Sequence, residues 1–140
     1  MTVLVDSTSI VSGSLSRRRA SAAIMHAVRL DHLRMAWNES TRQETDRIMH
    51  QIPPLRNHSI ATLFRAEGRF DGAVDLERFI AIPDPDDRKF AALAHAAGAV
   101  LVSNDAHLLE SSGDDELTVF NAGAFRSRYL GAEEGAPETR

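Results

Sequence analysis

Four stretches of this 140-residue chain carry acids where they could share one site. Asp6 directly follows the apolar run TVLV, and Asp105 follows AVLVS after one intervening Asn. The segment Asp84-Pro85-Asp86-Asp87 sets three more acids just ahead of an apolar helical pattern, and Glu44 lies inside a second one. Carboxylates gathered close together repel one another, which favours uptake of a cation or of a proton. Hard cations such as Mg²⁺ or Mn²⁺ prefer oxygen ligands of this kind and retain several waters. Each acid also has a plain structural role open to it. Asp caps helices and shapes turns after strands, and one of the three acids at 84–87 is expected to do only that. Glu is a good exposed helix former. The acids point to chemistry only as a set.

The surrounding elements must bring that set together. Residues 2–5 are a β-branched run that predicts a buried strand leading into a loop at Asp6. Residues 12–30 predict a helix, with Leu15, Ala20, Ala23, Ile24, Ala27 and Val28 at helical spacing and Arg17, Arg18 and Arg19 near its start. A short strand is expected at 33–37, after which Asn38 caps a helix over 39–50. Pro53 and Pro54 break the chain. Another helix is expected over 55–67, Gly68 and Gly72 frame a turn, and an extended piece is expected around 78–82. After Pro83 and Pro85, Asp86 or Asp87 is expected to cap a helix whose core positions are Phe90, Leu93, Ala94 and Ala97, with Gly98 ending it. Residues 99–103 form the best-defined strand. A short helix at 106–110, a polar loop at 111–116 and a last strand at 117–120 follow. The tail from 131 to 140, GAEEGAPETR, is small and charged and is expected to be disordered, leaving one domain over 1–130.

Strands alternating with helices imply an α/β fold, a three-layer α/β/α arrangement around a central, mainly parallel sheet. Ligands of such sheets collect beyond the carboxyl ends of the strands, at a topological switch point. Asp6 and Asp105 are both expected on that edge.

Composition narrows the field. A hydrophobic fraction of 43% suffices for a core, while a net charge of −4 argues against gripping nucleic acid mainly by a basic surface. An acidic chain whose carboxylates bind cations is still compatible with a nucleic-acid substrate. The absence of cysteine excludes disulfides, thiolate zinc sites and thiol nucleophiles. The N-terminus lacks the basic start and apolar run of a signal peptide, and no stretch approaches the roughly 18 apolar residues of a membrane span. The expectation is a cytoplasmic domain with no membrane association.

The order and spacing of VLVDSTSIVSG, NESTRQETDRIM and DPDDRKFAALAHAAGAVLVSNDAHLL resemble the PIN domain family, a small α/β nuclease fold found in many toxins of toxin–antitoxin pairs. The most specific stretch runs from 84 to 109. The resemblance implies that Asp6, Glu44, Asp87 and Asp105 are the acids of the site, acting jointly in water activation and as ligands of Mg²⁺ or Mn²⁺, directly or through water. Asp6 and Asp105, both at strand ends, are then the expected first pair. Ser7 and Ser103 are candidates to hydrogen-bond an acid or a coordinated water. An RNA substrate, a cognate antitoxin and a homodimer are implied as well, as for the toxin of a type II pair. Two positions depart from the family pattern: Thr8 stands where an Asn usually follows Asp-Ser or Asp-Thr, and His107 stands where Asp or another polar residue is common. His107 reads as a loop residue. The Arg17–Arg19 run reads as a solvated helix face, or alternatively as contacts for phosphate or for an acidic partner.

Two other functions stay open. One is a PIN-like scaffold with weak or no catalysis that binds RNA or protein. The other is an unrelated phosphate or nucleotide domain, but no G-x-G-x-x-G or G-x-x-x-x-G-K follows the first strand. A phosphoacceptor receiver would need a Lys at a late strand end, and Lys89, the only Lys, lies in a predicted helix.

Overall fold

The computed structural model describes residues 1–131; the expected disorder of 132–140 lies outside the described residues. Four strands, β1 (Thr2–Val5), β2 (Arg34–Met35), β3 (Val100–Val102) and β4 (Val119–Phe120), form one parallel sheet in the order β2-β1-β3-β4. β1 is central and pairs with β3 in the register Leu4↔Leu101 and Val5↔Val102. The chain leaves β1 towards β2 on one side and later leaves β3 towards β4 on the other. The switch point therefore lies between β1 and β3, where Asp6 and Asp105 follow the strand ends.

The pleat explains why TVLV and VLV are apolar throughout. Val3, Val5 and Val102 face one core with Ile10 of α1 (Ser7–Leu15), Ile24, Met25 and Val28 of α2 (Ala20–Arg29), and Phe125 of α6 (Ala122–Phe125). Leu4 and Leu101 face the other core with Phe90, Leu93 and Ala94 of α4 (Pro85–Ala97) and Leu108 of α5 (Ala106–Glu110). A sheet buried on both faces between helices is the expected three-layer α/β/α arrangement.

Several local expectations are corrected. The helix expected over 12–30 is two helices, α1 and α2, separated by a turn at 16–19 that holds the three arginines exposed. α1 and α2 pack so closely at Gly13 that a Cβ there would meet the Met25 sulfur at 2.5 Å. No α-helix forms over 55–67. Short 3₁₀ turns at Pro53–Leu55, Ala61–Leu63 and Ala66–Gly68 take its place, with Leu55, Ile60, Leu63 and Phe64 buried as separate anchors. The prolines remove amide donors from the start of that segment, and burial of spaced side chains outweighs its helical propensity. The extended piece expected at 78–82 is likewise a 3₁₀ turn, Glu77–Phe79, that buries Phe79 and Ile82. Asp84, not Asp86 or Asp87, caps α4: its carboxylate accepts from the Asp86 amide at 2.9 Å. Gly98 ends α4 as expected, in the left-handed conformation at φ 66°.

Candidate active site

The two strand-end acids are held in place by helix capping. Asp6 is buried, and its Oδ1 accepts the Ser9 amide at 3.0 Å, capping α1. Asp105 is half-buried, and its Oδ1 accepts the Leu108 amide at 3.1 Å, capping α5. Capping and site formation are thus compatible: a carboxylate has two oxygens, and a single amide engages one of them. Ser103, fully buried at the end of β3, links the pair. Its Oγ accepts the Asp105 amide at 3.0 Å, while its hydroxyl helps hold the Asp6 carboxylate charged.

Glu44 arrives from α3 (Glu39–Gln51). Asn38 and Thr41 close a reciprocal capping box, with Thr41 N–H donating to Asn38 Oδ1 at 2.9 Å and Asn38 N–H donating to Thr41 Oγ1 at 3.1 Å. This sets the helix phase. Thr41, Glu44 and Thr45 then share the inward face at i, i+3 and i+4. Ser7 also points here, but its hydroxyl meets Thr45 Oγ1 at 2.8 Å, so it ties α1 to α3 and makes no bond to a carboxylate.

Asp6, Glu44, Asp87 and Asp105 all line one open cavity of about 280 Å³, together with Ser7, Thr8, Asp84 and Asp86. The four acids proposed from sequence are brought together. His107 is exposed, lies outside the lining and faces Glu110 at 3.9 Å. Thr8 contributes a hydroxyl 3.4 Å from Asp6 Oδ1.

The acids feel one another. Partial burial, then the negative charges of Asp105, Asp84, Asp6 and Asp86, push the Asp87 carboxyl up to about 7. Burial also raises Asp6 above the ordinary carboxylate range, opposed by the hydrogen-bonding groups of Ser103, Ser9 and Thr8.

One residue of the cavity is not among the acids and serines expected from the sequence. Arg47 lines the cavity and grips Glu44 through Nη2–Oε2 at 2.6 Å and Nε–Oε1 at 3.3 Å, with Asp86 at 3.8 Å. It is the only cationic side chain in the lining among the described residues. The signal was present as an i,i+3 Glu–Arg pair, but such pairs are usually solvated surface contacts.

The sequence predicts a cation on this set. Among the described residues, no three or more His, Asp or Glu side chains are grouped so as to hold a metal ion by themselves. The donors are nevertheless hard oxygens under mutual repulsion, and Mg²⁺ typically takes only one or two carboxylates and keeps its remaining waters. One or two of Asp6, Asp105 and Asp87 fit that mode of binding, with the remaining acids reaching the ion through its waters. Glu44, held by Arg47, fits it less directly.

A family model described as the PIN domain matches residues 2–107, a span that contains all four acids. The chain belongs to the PIN domain family. No curated protein and no solved structure matches it. PIN domains are generally nucleases, so the strand-end acids of this PIN domain stand on a nuclease-type fold. No helix among the described residues of the PIN domain is long and apolar enough to cross a membrane.

Proposed function

We propose that this PIN domain is a divalent-cation-dependent endoribonuclease, acting in the cytoplasm as the toxin of a type II toxin–antitoxin pair, with a cognate antitoxin and a homodimeric state. The carrying observation is the convergence of Asp6, Glu44, Asp87 and Asp105 on one cavity at the sheet's switch point. One or two of Asp6, Asp105 and Asp87 would hold Mg²⁺ or Mn²⁺ directly, and the others through its waters. When bound, such an ion supplies Lewis acidity towards the phosphoryl oxygens. The protein's own part is to fix two carboxylates by helix capping, so that little reorganisation is needed as charge develops. Ser103 keeps those two in register, and Arg47 offers a fork of N–H donors to a phosphate at the cavity. Hydrolysis joins a water oxygen to phosphorus, breaks the bond to the leaving oxygen and delivers a proton to it.

The Glu44–Arg47 pair favours a second reading, a PIN scaffold that binds RNA or protein with little catalysis, because it neutralises one of the four acids internally. One experiment separates the two. A mixed RNA pool is incubated with the purified protein in Mn²⁺ or Mg²⁺, in EDTA, and with Asp105→Asn. Cleavage that needs the cation and is lost in the folded variant supports the nuclease. Absence of cleavage under every metal, with no calorimetric ion binding, supports the scaffold.

A further inference from the structure

A cavity larger than the acidic one lies apart from it. It encloses about 580 Å³ and shares no lining residue with the acidic cavity. Arg17 from the turn after α1, His26 and Arg29 from α2, His58, and Arg126 from the chain's last described turn contribute to its lining. Among the described residues no carboxylate lines it, although the chain carries four more acids than bases. Helical geometry produces this in part: Ala22, His26 and Arg29 lie at i, i+4 and i+7, on the face of α2 turned away from buried Ile24 and Val28.

Three features make this a built site. The Nε of Arg29 donates to Thr62 Oγ1 at 2.9 Å, which fixes the guanidinium plane and leaves its two terminal nitrogens without protein partners among the described residues. The Arg17 guanidinium has no acidic partner among the described residues. Ser14 also lines the cavity, and its buried Oγ has no hydrogen-bond partner among the described residues. Buried hydroxyls in that condition are uncommon. Beside these groups, Ala22, Ala23 and Met25 supply apolar surface.

We propose that this cavity binds the phosphate of a nucleotide. Guanidinium groups present planar forks of N–H donors that match phosphate oxygens, and those of Arg17 and Arg29 line this cavity with no acidic partner among the described residues. The volume falls within the range of about 300–1,000 Å³ usual for small-ligand pockets, and a bare phosphate would leave most of it empty. The apolar surface suits the sugar and base that the phosphate carries. Two sources share this chemistry, a free nucleotide and the phosphorylated end of an RNA strand. The site does not depend on the nuclease reading, because the two cavities have no residue in common.

The test is calorimetric titration of the full chain carrying Asp105→Asn, in EDTA, so that nothing is hydrolysed and the acidic cavity holds no cation. The probes are a nucleoside 5′-monophosphate, the same nucleoside without phosphate, and a 5′-phosphorylated dinucleotide. The monophosphate is expected to bind at least about tenfold more tightly than the nucleoside, and Arg17→Ala and Arg29→Ala each to weaken it about tenfold. Arg18→Ala, outside the lining, is expected to leave binding unchanged. Arg17 lies on an exposed turn, so its variant folds, and melting curves verify this. A dinucleotide that binds more tightly than the mononucleotide identifies a strand end; equal affinities identify the free nucleotide. No binding of either phosphate ligand by folded protein overturns the proposal, as does binding insensitive to both Arg17→Ala and Arg29→Ala.

Discussion

Arg47 holds the buried carboxylate of Glu44 from one turn further along the same helix, by two N–H···O contacts at 2.6 and 3.3 Å. A buried charge is tolerated only when it is paired, so the guanidinium supports the fold while it occupies the proposed reaction site.

Truncating it therefore has two separable effects. Arg47→Ala leaves Glu44 buried without its counter-ion, and the cation-free protein is expected to melt a few degrees lower. Saturating Mn²⁺ should raise the melting temperature of the variant more than that of the parent, since an internal competitor for Glu44 is gone. Cleavage should fall about tenfold or more if the guanidinium contacts phosphate. Thermal melts with and without Mn²⁺ read the first two effects, and equal Mn²⁺ responses in both proteins would refute the competition.

Asp87 links stability to pH. Its carboxyl titrates near 7 in the folded protein and near its ordinary 3.8 when unfolded. Between those values unfolding releases a proton, so stability falls as pH rises through the window and levels off above 7. Asp87→Asn removes the effect. In EDTA the variant should be more stable than the parent by about 1 kcal/mol at pH 8, a value discounted for partial exposure, and equally stable near pH 4. Denaturant melts at the two pH values decide this, and a variant less stable at pH 8 contradicts the assigned repulsion.

Asn caps a helix about as well as Asp, which gives the strand-end acids a clean test. Asp6→Asn and Asp105→Asn should keep the caps of α1 and α5 and lose cleavage by about a hundredfold or more. Asp105→Ala should lose the cap as well and cost roughly 1 kcal/mol of stability. Cleavage that survives Asp105→Asn but falls in Asp105→Ala would assign Asp105 to structure alone.

Ser103 is expected to act through its neighbours. Ser103→Ala leaves the Asp105 amide without its acceptor and removes support from Asp6, at a cost of about 1–3 kcal/mol. Cleavage should drop through kcat with KM nearly unchanged. A change in KM alone would place Ser103 in substrate binding instead.

Much of the candidate site is legible in the chain, because the elements that place its acids are set locally. TVLV and AVLVS announce strands by composition, and an acid following each is visible at once. The capping of α3 by Asn38, the Gly98 stop and the parallel, three-layer arrangement follow from short-range rules that act over a few residues. Where those rules were outweighed by burial, the reading failed: the anchors Leu55, Ile60 and Leu63 are spaced for three separate insertions into the core, not for one helix.

What the tertiary structure decided is everything that depends on distance between remote segments. Ser7 bonds to Thr45 instead of an acid, 38 residues away. Asp87 rises to about 7 because it is partly buried and because Asp105, Asp84 and Asp6 add their negative charge, and Arg17 joins Arg126 around a second cavity. Sequence spacing carries propensity and periodicity. Charge coupling and cavities arise only where packing sets the separation and excludes water, and that is a property of the assembled fold.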